Sequence, residues 1–259
     1  MRSTLVRRSV LTASAVSLAL LATACGSDKA DDKKADAKPS AASSSSAPAA
    51  SGAKAKTNAE LAGVIVTRAD LPNHVVKEAT PAEAAAAAGA KSDKPQCQPL
   101  VSAQSMNPVG TAAGTARTKA IAKPKEPAAD AGPEEKAKAA MGALAGTVTS
   151  VTLASYEGKG AEEAFAAVKT AGTACAGGYT GSQGGDALKI TKVGQGASVT
   201  AGDEALAYTV TGDADGEAMT MELVVVRKGN TVATFSALSL AGAADQPKAV
   251  VDAQAKKLG

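Results

Sequence analysis

Two hydrophobic patterns divide the chain. Residues 10–22 are almost wholly apolar, broken only by the small polar Thr12, Ser14 and Ser17, and Arg2, Arg7 and Arg8 precede them. Residues 26–57 then hold no large apolar residue; they are built mainly of Ala, Ser, Lys, Asp and Pro, with serines throughout 43–46. From residue 58 onward the apolar positions recur with the periods of folded elements. In 160–175, Ala161, Ala164, Phe165 and Val168, followed by Ala171 or Gly172, return at three- and four-residue steps, one stripe of a helix that packs on a sheet. Residues 147–156 are β-branched in character, and 187–193, 204–211 and 218–227 read as strands. Within 204–211, Ala205, Ala207 and Thr209 alternate with Leu206, Tyr208 and Val210, which predicts a strand with one buried face. Lys228-Gly229-Asn230 supplies a hairpin turn, and 231–240 the returning strand. A last amphipathic helix is expected over 246–258, with Asp245 as its N-cap, Pro247 in its first turn and Val250, Val251, Ala255 and Leu258 inward.

The first half carries shorter signals. They predict a short helix after residue 58, a loop at Leu71-Pro72 and a strand over 74–79. A helix should run from Pro81 to Gly89, a strand over 119–123 and a helix over 134–144, with a Pro-rich loop before the last. Strands gathered late and helices at both ends point to an α+β fold. We expect one antiparallel sheet of about 5–6 strands, with helices mainly on one face, in a single domain over 58–259.

The arginines and apolar run of 1–24 form a signal peptide, too short for a bilayer span of roughly 20 apolar residues. Ala22, Thr23 and Ala24 precede Cys25, and Gly26 and Ser27 follow, a site that resembles the lipobox of bacterial lipoproteins. That resemblance implies that Cys25 is lipidated and becomes the first mature residue. Arg7-Arg8 leaves both general secretion and twin-arginine export open. Residues 25–57 are then a disordered tether, spanning roughly 30 Å as a coil, since such a composition cannot bury enough surface to offset chain entropy. The expected location is the outer face of the cytoplasmic membrane, with the domain facing the cell wall.

Charge narrows the partners. The chain has 28 Lys and Arg against 25 Asp and Glu, and residues 1–24 hold three of the former and none of the latter, so the remainder is 25 against 25. A neutral chain with two Phe, three Tyr and no Trp lacks the basic face and stacking platform of a nucleic-acid binder. The partners expected are the membrane, through Cys25, and a small molecule, lipid or envelope protein, with no nucleic acid. With Cys25 lipidated, Cys97 and Cys175 are the pair left in an oxidising setting, and we expect a disulfide between them. A redox-active pair would favour Cys-x-x-Cys spacing, which is absent.

The order of these features has a parallel. The DLP loop at 70–72, CQPL from Cys97, VTLASYEGKGAEEAFAAVKTAGTAC ending at Cys175, GDEALAYTV, VVVRKGN and a closing helix resemble a group of actinobacterial cell-wall lipoproteins. Their soluble part is similar to the extracellular sensor domain of mycobacterial receptor serine/threonine kinases. The resemblance implies a sandwich-like α+β sensor or binding domain without enzymatic activity. Those sensor domains carry more cysteines and a tryptophan, whereas this chain has one pair beyond Cys25 and no Trp.

Candidate chemistry is sparse. His74 is the sole histidine, and no G-x-S-x-G motif accompanies it, so a strand-edge histidine is the expected role. The GDADGE stretch at 212–217 begins like a calcium loop but lacks the closing glutamate, and a turn using Asp213, Asp215 and Gly216 is expected instead. GGYTGSQGGD and GQG carry neither phosphate-loop nor dinucleotide context and read as loops. Glu162-Glu163 and Asp203-Glu204 are adjacent acids that should point different ways. No catalytic, cofactor or metal residue is assigned. The leading expectation is a non-enzymatic binding or sensing domain for an envelope component or small molecule. The alternative is a structural or protein-interaction lipoprotein, and a carboxylate-based hydrolase using Asp203, Glu204, Asp213 and Glu217 is the minor one.

Overall fold

Two apolar runs, LVVV at 223–226 and VATF at 232–235, lie side by side near the middle of the sheet, buried on both of its faces. The computed structural model describes residues 54–123, 130–137, 146–214, 216–239 and 243–259. Its elements follow in the order α1 (Asn58–Val64), β1 (His74–Glu78), α2 (Pro81–Ala88), β2 (Lys91–Ser92), α3 (Gln98–Gln104), β3 (Gly114–Ala122), β4 (Val148–Ser155), α4 (Gly160–Ala174), β5 (Tyr179–Gln183), β6 (Asp186–Gln195), β7 (Glu204–Ala214), β8 (Glu217–Lys228), β9 (Thr231–Leu238) and α5 (Lys248–Leu258). Residues 133–137 are also helical; the rest of the helix expected over 134–144 lies outside the described residues, as do the signal peptide, Cys25 and nearly all of the expected tether.

The strands form one antiparallel sheet in the order β1-β3-β4-β9-β8-β7-β6-β5-β2. That is nine strands where 5–6 were expected. Seven overlap strand segments read individually from the sequence, and the two that were not read are local: β2 is two residues long, and β5, YTGSQ, is too polar and glycine-containing to announce itself. Within the strands, successive residues serve opposite faces, and here both faces are covered. Leu223 and Val225 of β8, Tyr208 and Val210 of β7 and Tyr156 pack with α3 and α4. Val224 and Val226, Val151 and Leu153 of β4 and Ala233 and Phe235 of β9 pack with α1 and α5.

The expectation of helices mainly on one face is therefore corrected to helices on both. The physical reason is visible in β7, where Ala207 on the second face is as buried as Tyr208 on the first. A small residue in a polar-looking alternation still counts as core when a helix lies over it. Leu206 is only half-buried.

Caps set the helix ends. Thr57 and Glu60 form a capping box at α1, and Thr80 and Glu83 do the same at α2, with Pro81 in its first turn. α5 starts at Lys248 with Pro247 at the cap position, so Asp245 is not the cap expected from sequence. The wholly buried Gln254 of α5 ties the end of α1: its Nε2 donates to Val64 O at 2.9 Å and its Oε1 accepts from Val66 N at 2.9 Å.

Candidate functional site

A sheet strand of twelve residues such as β8 is about 40 Å long, whereas a seven-residue helix such as α3 spans about 10 Å. The helices of the first face therefore leave part of it uncovered. The gap is a cavity of about 730 Å³ bounded by α3, the end of α2, the β5–β6 hairpin, the start of β8 and the end of β9. Leu188, Met219, Met221 and Leu238 line it and stay only half-buried, while Val101 and Ile190 at its base belong to the core. Its volume is in the range of about 300–1,000 Å³ usual for small-molecule sites.

Glycine shapes this cavity. A Cβ at Gly212 of β7 would lie 3.3 to 3.4 Å from carbons of Met219, Ile190 and Leu188, so the absent side chain lets these three lean together. Gly184 and Gly185, at φ +64° and +101°, turn β5 into β6 beside the cavity, a two-residue hairpin turn that requires positive φ. The stretch read from sequence as a loop is this hairpin, and the Gly-Gly pair was its signal.

Polar groups in the lining are few. Gln104, the last residue of α3, accepts a hydrogen bond from the Tyr179 hydroxyl at Oε1, 2.8 Å away, which leaves its buried Nε2 donor without a partner. Burial pushes the Tyr179 phenol up beyond its ordinary range, so it remains a neutral donor. Asp186 at the rim is the single charged side chain among the described lining residues. Met221 accepts from the Ser236 hydroxyl at 3.0 Å through its sulfur.

The residues singled out in the sequence are scattered. Cys97 and Cys175 are joined, with Cα atoms 5.9 Å apart, and fasten the turn before α3 to the end of α4. His74 opens the edge strand β1; its Nδ1 is buried and unpartnered, and burial, then Lys123, lowers its pKa. Asp213 accepts from Gly216 N at 2.7 Å in the β7–β8 turn, where Gly216 has φ +90°; Asp215 lies outside the described residues. Glu162 and Glu163 occupy the exposed first turn of α4, where carboxylates favour the helix dipole.

Asp203 and Glu204 depart from the expectation that they point apart, for both reach Arg227. Glu204 Oε2 lies 2.6 Å from Arg227 Nε, and Asp203 Oδ2 lies 3.5 Å from its Nη1 and accepts from Gly229 N at 2.7 Å. They converge on a cation and a hairpin turn. Gln104, Leu188, Met219 and Met221 carry no motif that marks them in the sequence. The one available signal was Met-x-Met in β8, a two-residue step that puts both thioethers on one face of a strand.

No family model matches the chain, and no curated protein matches it. Among solved structures, the chain is similar to the extracellular domain of PknH from Mycobacterium tuberculosis, with 14% identity and a TM-score of 0.49, over 80% of this chain and 98% of that one. That domain is of the kind the order of sequence features resembles, and the site here is argued from its own residues.

Proposed function

We propose that this protein is a non-enzymatic, extracytoplasmic binding or sensing lipoprotein, tethered through Cys25 to the outer face of the membrane, that holds a small apolar molecule in the cavity between α3 and the β5–β6–β8 end of the sheet. The observation that carries the reading is the cavity itself: half-buried Leu188, Met219, Met221 and Leu238 around a buried donor, Gln104 Nε2, that has no protein partner. Apolar lining with a few placed polar groups is how small-molecule sites are built. A non-enzymatic reading is supported by how the acids are used, since Asp203 and Glu204 engage Arg227 and Asp213 closes a turn. Of the described residues, no helix is long and apolar enough to cross a membrane, and the anchor is assigned to lipid on Cys25.

The test is native mass spectrometry of the chain carrying Cys25→Ser, exported from an actinobacterial host and purified without detergent. An extra mass lost on denaturation is expected, together with uptake of the neutral dye Nile red that Ala187→Trp abolishes by filling the cavity mouth. Dye uptake equal in both proteins would overturn the reading.

The protein-interaction reading has one observation of its own. Val75, on the edge strand β1, is 41% exposed and is the one exposed large hydrophobic among the described residues. Crosslinking from a photoreactive residue at position 75 in intact cells would favour that reading if one envelope protein were captured, and captured less by Val75→Lys.

A further inference from the structure

We infer that the cavity takes the acyl chain of a neutral lipid ester, such as a monoacylglycerol, with the ester carbonyl at Gln104; this rests on the binding reading above and names its ligand class. Three observations converge on it.

The lining comes first. Among the described residues it offers no aromatic ring for a sugar to stack on and no Lys, Arg or His to meet a phosphate or carboxylate. What it does offer is a run of branched and thioether side chains. Met219 and Met221 are unbranched and pliable, suited to a chain of methylenes that has no fixed shape. At about 30 Å³ for a group of water size, a sixteen-carbon chain fills about 500 Å³. A cavity of about 730 Å³ leaves room beyond that for a small headgroup.

Charge is the second observation. The single charged lining residue described is Asp186, exposed at the rim beside Gly184 and Ala187. A carboxylate there repels a fatty-acid anion or a phospholipid phosphate as its headgroup reaches the mouth. A glyceryl ester carries no charge, and its hydroxyls can donate to Asp186.

The third is the unused donor. The Tyr179 hydroxyl donates to Gln104 Oε1 at 2.8 Å, and the amide's Nε2 is buried without a partner. A buried donor of this kind lacks an acceptor in the protein itself; a turn of the Gln104 amide toward the cavity would bring it to a ligand, and an ester carbonyl is the acceptor a neutral lipid carries next to its chain. Hydrocarbon alone would leave it unmet.

The experiment is displacement of Nile red from the Cys25→Ser chain at pH 8 by monoacylglycerols of increasing length, each below its aggregation concentration, with palmitate in parallel. Affinity should rise by about fourfold per added methylene and level off near sixteen carbons, where the cavity is filled. Palmitate should bind at least tenfold more weakly than its glyceryl ester. Asp186→Lys should reverse that order, a gain of binding that a misfolded variant cannot mimic, and Gln104→Leu should weaken the ester by about fivefold. Palmitate binding as well as the ester, with Asp186→Lys changing nothing, would overturn the inference. So would Nile red that binds and is blocked by Ala187→Trp yet yields to none of the monoacylglycerols; the binding reading would then stand without this ligand class. Absence of dye binding to the unblocked protein would instead remove the binding reading, and this inference with it.

Discussion

Two carboxyl groups in this protein respond to folding in opposite directions. Glu222 of β8 is 8% exposed on the face covered by α1 and α5, and accepts from the Thr209 hydroxyl at 2.8 Å. Burial raises its pKa, Asp245 raises it further, and the Thr209 hydrogen bond works against both. The folded protein therefore holds this proton at a pH where the unfolded chain has released it, and stability attributable to Glu222 rises as pH falls through the raised value toward the ordinary carboxylate range. Glu222→Gln keeps the acceptor for Thr209 and removes the charge. It should be more stable than the parent at pH 7 and lose that advantage toward pH 4, as read from urea midpoints across the range.

Asp70 is the mirror case. Hydrogen bonds from Lys257, then from the Thr67 hydroxyl and backbone, lower its pKa to about 2. Its contribution is complete above the ordinary carboxylate range and is lost as pH falls from about 4 toward about 2. Asp70→Asn should destabilise the protein at pH 7 and flatten the acid limb of the stability curve, the reverse of Glu222→Gln.

At the scale of elements, the disulfide matters because of what it fastens. Cys97 opens onto α3, whose Val101 and Gln104, with Ser105 just after them, form one wall of the cavity, and Cys175 caps the end of α4, which is packed against the same face of the sheet. Closing a sequence separation of 78 residues is worth about 4 to 5 kcal/mol in the chain-entropy account. For a domain of this size that is about 10 °C in Tm. Replacing both cysteines by Ala should lower Tm by that order and, below the new transition, should still weaken Nile red binding, because a helix of seven residues has little else to hold it in register. Unchanged binding in a destabilised protein would show that packing alone positions α3.

The elements also show what was legible in the sequence. α4 and the strands β4, β6, β7, β8 and β9 are long enough for their period to be read, and they fall close to where it predicts. β2 and β5 are not, because two to five residues carry too little pattern to compete with their glycine and polar content, whereas the start of α3 falls at the helix-like CQPL. The second helix layer was missed because small residues such as Ala116, Ala120, Ala207 and Ala233 make up much of that face, and alanine does not reveal from sequence whether it is covered. The cavity was missed for a related reason. It exists where α3 is too short for its sheet, and that mismatch is a property of two elements far apart in the chain.

At the scale of the whole molecule, the position of the cavity relative to the entering chain has a functional consequence. The first described residues are fastened beside the β8–β9 turn: Asn230 Nδ2 donates to Lys54 O at 3.0 Å, Lys56 N donates to Ser155 Oγ at 2.9 Å, and Ala55 is buried. Close approach demands glycine here, since a Cβ at Gly114 would stand 2.3 Å from Lys56 O. Met219, in the cavity wall, lies on β8 ten residues before Gly229 of that turn, about 33 Å along the strand. The chain thus enters the described domain at the end away from the cavity, and a tether preceding residue 54 would join it there. If residues 25–53 form the tether of the proposed lipoprotein, a coil of that length would reach roughly 30 Å, comparable with that distance, and taking lipid from the anchoring membrane would require the domain to tip over on an extended tether. Deleting residues 30–49 should therefore slow uptake of a fluorescent monoacylglycerol from the vesicle to which the lipidated protein is bound, while uptake of the same lipid presented on a soluble carrier stays unchanged. Equal slowing of both routes would mean that the tether acts on the cavity itself, and no slowing of either would place the cavity mouth within reach of the membrane without it.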